Sequence, residues 1–206
     1  MTIQQPKINK QTITEHPWIT FNDHKEHLYT NCTISNENIT QIQIHSCYFD
    51  HVRFINCVFA NTDICDVVFD HCEFIQTKFS ESSLFRIHWN SCRCMGLDLS
   101  DNSCFHHIFT QCNASYANFS HSKLHYISFE QCYLQETSFS YCQSKELTYQ
   151  QCDLTNSEMF HTKLAGIDVS TSKITNIKVS LDNIKGIIVN QEQALAFAQL
   201  LGLIII

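Results

Sequence analysis

Twelve cysteines and twelve histidines in a chain of 206 residues are the side chains best suited to metal or nucleophilic chemistry. The densest group is Cys104, His106, His107, Cys112 and His121. Structural zinc sites draw their thiolates and imidazoles from short, repeated spacings such as Cys-x-x-Cys. No pair of such motifs occurs here, and Cys92-Arg93-Cys94 is too close. Ser-His-Asp or Cys-His catalysis needs a cleft in which a base is oriented. These residues therefore read as carrying no metal, no cofactor and no catalytic group, and the chain as a binding protein rather than an enzyme.

The cysteines mark a frame instead. Taking every fifth residue from Ile34 to Val189 gives 32 positions, of which only Cys94, Cys104, Ala114 and Ser144 are not large and apolar. Two residues before these centres lie nine of the twelve cysteines: Cys32, Cys47, Cys57, Cys72, Cys92, Cys112, Cys132, Cys142 and Cys152. Free cysteine packs as a small hydrophobe, so burial accounts for the count without disulfides. A period of five fits neither a helix at 3.6 nor a strand at 2. It fits a coil that turns a corner every five residues, with Asn, Asp, Ser, Gln, His and Thr on the outside and at the turns.

Composition agrees with one globular domain: 44% of residues are apolar, 16% are charged, and the net charge is −7. That balance disfavours direct nucleic-acid binding, which needs a basic patch, and suits a basic partner. No window reaches the roughly 20 apolar residues of a membrane span, and the first residues lack a signal-peptide core. A cytoplasmic location is expected. Only four glycines serve a chain that must turn often, so another residue class must occupy the turns.

Segments such as Cys57-Val58-Phe59-Ala60-Asn61, Cys72-Glu73-Phe74-Ile75-Gln76 and Ala117-Asn118-Phe119-Ser120-His121 resemble the pentapeptide repeat family. The resemblance implies an all-β fold, a right-handed quadrilateral β-helix with twenty residues per turn, over residues 29–189. Residues 1–28 would form an N-terminal segment or cap, with Trp18 over the first apolar layer, and 190–206 a short helix and tail. In that register two facing walls carry aromatic ladders, Phe49, Phe69, Trp89, Phe109, Phe129 and Tyr149 on one, Phe59, Phe79, Phe119 and Phe139 on the other.

The C-terminus narrows the resemblance. Asn190 is placed to cap a helix with Gln193 completing a capping box, and Gly202 to end it. This closing segment resembles the quinolone-resistance (Qnr) branch of the family. The resemblance implies a homodimer joined through Leu195, Phe197, Ala198, Leu201 and Leu203, and a DNA mimic that binds DNA gyrase or topoisomerase IV and protects it from quinolones. Some members of that branch carry loops that interrupt the coil. Here the frame never slips between Ile34 and Val189. The alternative is an interaction or immunity module of the same fold with another protein target.

The twenty-residue register sorts the charges by side. One side carries Asp50, Asp70, Glu130 and Asp168 with no Lys or Arg, and is the expected partner-binding face. The opposite side has Glu37, Glu81, Asp98, Asp101 and Glu158 against Lys78 and Lys178. The side after Ile44 is basic, with Arg86, Lys123, Lys145 and Lys163 against three acids.

Overall fold

In a computed structural model the chain forms a right-handed quadrilateral β-helix of about eight turns. The structure describes residues 2–9, 13–15, 17–20, 22–200 and 202–204. Strand pairing fixes the geometry: Ile34 pairs with Phe54, Ile39 with Phe59, Ile44 with Ile64 and Phe49 with Phe69, always parallel and always twenty residues on. Four sides of five residues therefore close each coil. On two adjoining sides the strands merge into runs of eight, Asp63–Asp70, Ser83–Asn90, Ser103–Thr110, Lys123–Glu130 and Gln143–Gln150, paired in sequence order.

The corners explain the shortage of glycine. Left-handed backbone falls two residues after the centres, as at Asn56, Asn61, His71 and His121, with φ between 51° and 61°. Asn, Asp and His accept this region more readily than other side chains. Larger residues such as Tyr116, Tyr126 and Glu136 are held there too, because the ladders on both sides leave the chain no other path.

The centres fill the interior. In the first ladder successive rings stack at 5.1 Å (Phe49–Phe69), 4.6 Å (Phe69–Trp89), 5.3 Å (Trp89–Phe109), 4.7 Å (Phe109–Phe129) and 5.4 Å (Phe129–Tyr149). Phe59–Phe79 and Phe119–Phe139 stack on the facing wall, and Phe54–Phe74 adds a short stack on a third. Tyr29 extends the first ladder below Phe49, and Trp18 stacks on His24 at 4.1 Å beside it.

The cysteine slot does more than save space. Cys57, Thr77, Ser82, Cys112, Ser122, Thr137 and Cys152 each donate to the carbonyl of the centre residue 23 positions earlier, on the coil below. Burial pushes the Cys47 thiol up to about 11 and that of Cys142 up to about 12, so both stay protonated and able to donate. Packing as a small hydrophobe is thus half of the reason for cysteine here. The other half is a weak S–H donor aimed at an inward carbonyl.

At the far end, α1 (Gln191–Leu200) closes the coil. Asn190 and Gln193 form the reciprocal capping box, each backbone N–H meeting the other's side-chain oxygen at 2.9 Å. Gly202 at φ 78° donates to the Gln199 carbonyl and Leu203 to that of Ala198, the pairing that ends a helix in a left-handed glycine. At the near end residues 2–9 run along the rod rather than around it. The Lys7 amide donates to Asp66 Oδ1 at 2.8 Å and the Gln4 amide to His106 Nδ1 at 3.2 Å.

Candidate protein-binding face

The side of the coil bearing Asp50 and Asp70 is built by the long strands. Asp50 pairs in register with Asp70, Asp70 with Asn90, Asn90 with Thr110 and Thr110 with Glu130. One column therefore reads Asp, Asp, Asn, Thr, Glu up the rod. Asp168 lies on the same face in the neighbouring column, paired with Ile188. Strands stack at about 4.8 Å, so Asp70 and Glu130, three coils apart, are roughly 14 Å from one another.

The acids are held in position. Tyr48 Oη donates to Asp70 Oδ2 and Asn90 Nδ2 to Asp70 Oδ1, both at 2.7 Å. Partial burial alone would raise the Asp70 carboxyl. The bonds from Tyr48 and Asn90 and the neighbouring His71 outweigh it and hold the group below the usual range. Ser170 bonds hold Asp168 low in the same way. Ser128 Oγ donates to Glu130 Oε1 at 2.9 Å. His51 Nδ1 meets Asp50 Oδ1 at 2.6 Å and His71 Nδ1 meets Asp70 Oδ1 at 2.8 Å, pairings that the charge count alone misses.

The opposite side differs. Lys78 reaches Asp98 at 3.1 Å and Lys178 reaches Glu158 at 2.8 Å, each one coil away in the same column. Two of its five acids are thus compensated, while Glu81 and Asp101 remain exposed and Glu37 half-buried. The side after Ile34 is an alternating ladder in which Glu73 lies between Arg53 at 2.8 Å and Arg93 at 3.8 Å. The basic side loses Arg86 to Asp66, a two-pronged pair at 2.6 Å under the N-terminal residues.

Of the residues assigned to dimerisation, Leu195 and Leu203 are exposed and Ala198 is half-buried. Leu201 lies outside the described residues. Phe197, only 7% exposed, packs into the end of the core. Beside it the buried Gln193 donates from Nε2 to the Val169 and Ser172 carbonyls, a tie that apolar periodicity cannot reveal. Ile204 and Leu200 add to the exposed apolar surface.

The interior is filled by side chains, and Cys104 and Cys112 of the cysteine–histidine cluster point inward and are buried. No helix among the described residues is long and apolar enough to cross a membrane. Two family models match the chain, "Pentapeptide repeats (8 copies)" over residues 47–84 and "Pentapeptide repeat region" over residues 82–159, together more than half of its length. The chain belongs to the pentapeptide repeat family. Among solved structures it is similar to full-length QnrB1, a plasmid-mediated fluoroquinolone resistance protein, at 22% identity over 87% of this chain and 89% of that one, with a TM-score of 0.43. It is also similar to HetL, a pentapeptide repeat protein involved in heterocyst differentiation regulation from the cyanobacterium Nostoc, at 13% identity over 84% and 94% of the two chains, with a TM-score of 0.31. No curated protein sequence matches it significantly.

Proposed function

We propose that this pentapeptide repeat protein is a cytoplasmic, non-catalytic DNA mimic that binds DNA gyrase or topoisomerase IV as a homodimer and protects it from quinolones. The observation that carries the reading is the face with Asp50, Asp70, Glu130 and Asp168 and no Lys or Arg. A basic groove made for duplex DNA would meet on this face a stiff rod of the right sign. Eight coils at about 4.8 Å extend roughly 38 Å, and two rods joined at α1 about twice that. Duplex DNA carries one charge per roughly 1.7 Å of axis, so the likeness is of shape and sign rather than charge density. The exposed Leu195, Leu203 and Ile204 support joining through the α1 end, because a contiguous apolar patch on a soluble protein marks a contact surface.

The test is gyrase supercoiling in a fluoroquinolone, titrated with the native protein and with the variant carrying Asp50→Lys, Asp70→Lys, Glu130→Lys and Asp168→Lys. Single exposed charges contribute modestly, whereas four reversals set like charges against the groove. Protection by the native protein alone, weakening as salt rises, is the expected result. Equal protection by the variant rejects this face, and binding to neither enzyme rejects the assignment in favour of another protein target.

A further inference from the structure

The cysteine–histidine cluster that invites a zinc reading is dispersed by the fold, but the same register assembles a different set of ligands. His51 and His71 occupy one corner column on successive coils. Their rings lie parallel, 4.9 Å apart and 3° from coplanar orientation. Among the described residues they are the one pair of histidines stacked ring on ring. In the other histidine column Tyr141 stands between His121 and His161.

We infer that Asp50, His51 and His71 form a binding site for a divalent transition-metal ion such as Zn²⁺ or Ni²⁺. A ligand atom from each of the three lies within 4.8 Å of the others. Two imidazoles and one carboxylate are a borderline donor set that suits zinc, nickel or copper rather than magnesium or calcium. Zinc–nitrogen and zinc–oxygen bonds of about 2.0–2.2 Å put ligands on one ion roughly 3–3.5 Å apart. Both rings are half exposed, so closing that gap takes a small side-chain rotation and no backbone movement. The backbone is already fixed, because Asp50 and Asp70 pair in the ladder and both corners hold the same left-handed turn. Asp70, bonded to His71 and steadied by Tyr48 and Asn90, supplies the outer carboxylate that orients a metal-binding imidazole. A bound divalent ion also offsets the charge of Asp50 and Asp70 at this end of the acidic face.

The test is calorimetric titration of the intact protein with ZnCl₂ and separately NiCl₂, with no topoisomerase present. One ion per chain is expected, with each of His51→Gln and His71→Gln weakening binding at least tenfold. Asp70→Asn should weaken it by about tenfold, the usual effect of losing an orienting partner, and His121→Gln should leave it unchanged. On the native protein, imidazole nitrogen NMR should show two histidines shifting with the ion. Absence of saturable binding overturns the site. So does saturable binding that persists in the His51→Gln, His71→Gln double variant, or an ion that leaves both imidazoles unshifted.

Discussion

The Nε2–H of His107 donates to the carbonyl oxygen of Leu84, one coil below, at 3.1 Å. His107 is 1% exposed and stands in register between Ile87 and Ile127, so an imidazole fills a column whose neighbours, from Val67 to Leu147, are aliphatic. Burial lowers its pKa to about 4, with the Leu84 bond opposing and His106 assisting. His24, also buried, is lowered to about 4 by burial and by His27.

Acid sensitivity follows from that pair. In the folded state His107 stays neutral, while the unfolded chain takes up its proton near pH 6.5. Stability contributed by the neutral form is present above pH 6.5 and is lost as pH falls towards 4. His107→Ile should reduce the loss between pH 7 and pH 4.5 by about 2–3 kcal/mol, measured by denaturant unfolding at the two pH values. An unchanged pH dependence would show that His107 takes up its proton over the same pH range folded and unfolded.

Two core substitutions should act with opposite sign. Thr137 donates to the Ala114 carbonyl at 2.8 Å, so Thr137→Val keeps the shape, leaves that carbonyl only its bond from the Ala117 amide and should cost about 1 kcal/mol. Tyr149 sits at the top of the Phe ladder with its buried hydroxyl unpaired among the described residues. Tyr149→Phe removes that hydroxyl and should stabilise by about 1 kcal/mol. Equal melting shifts for the two would remove the distinction between slot donors and ladder centres.

Register should matter more than length. Deleting residues 70–89 removes one whole coil and joins Phe69 to Asn90, which takes the register position of Asp70. Deleting Asp70 alone moves every later side chain one slot, putting polar residues inward. The first variant should be a soluble, β-rich rod and the second should fail to fold, as circular dichroism and thermal melting would show. Equal behaviour of the two deletions is incompatible with the coil.

The two roles of α1 separate by mutation. Leu195→Glu with Leu203→Glu changes exposed side chains and should give a monomer in sedimentation with an unchanged melting point. Phe197→Ala empties the plug and should cost about 3 kcal/mol with association retained. A dimer persisting in the first variant would move the contact elsewhere on the rod.

The five-residue frame was legible because nearly every centre position is large and apolar, and most slots two residues earlier hold a compact Cys, Ser, Thr, Val or Ala. The aromatic ladders followed from it directly. Periodicity does not show hydrogen-bond direction, so the donor role of Cys57 and Thr137 is invisible in it. Nor does it distinguish Leu195 from Phe197, which share an apolar helix yet meet solvent and core respectively. The histidine pairing at Asp50 and Asp70 was within reach, since the register places His51 above Asn31 and below His71. Counting only Lys and Arg hid it. Contacts of residues 2–9 with Asp66 and His106 lie outside the repeat altogether, and no spacing rule predicts them.

Those contacts decide where each end of the chain leaves the molecule. Gln4 is fastened beside His106, midway along the rod, and the path descends the flank to Lys7 at Asp66 before the coil begins. A fluorophore or affinity tag joined ahead of Gln4 therefore projects sideways from the waist. One joined after Leu203 projects from the tip beyond α1. Energy transfer from a donor ahead of Gln4 to an acceptor after Leu203 would report about half the rod's length, and not the whole of it.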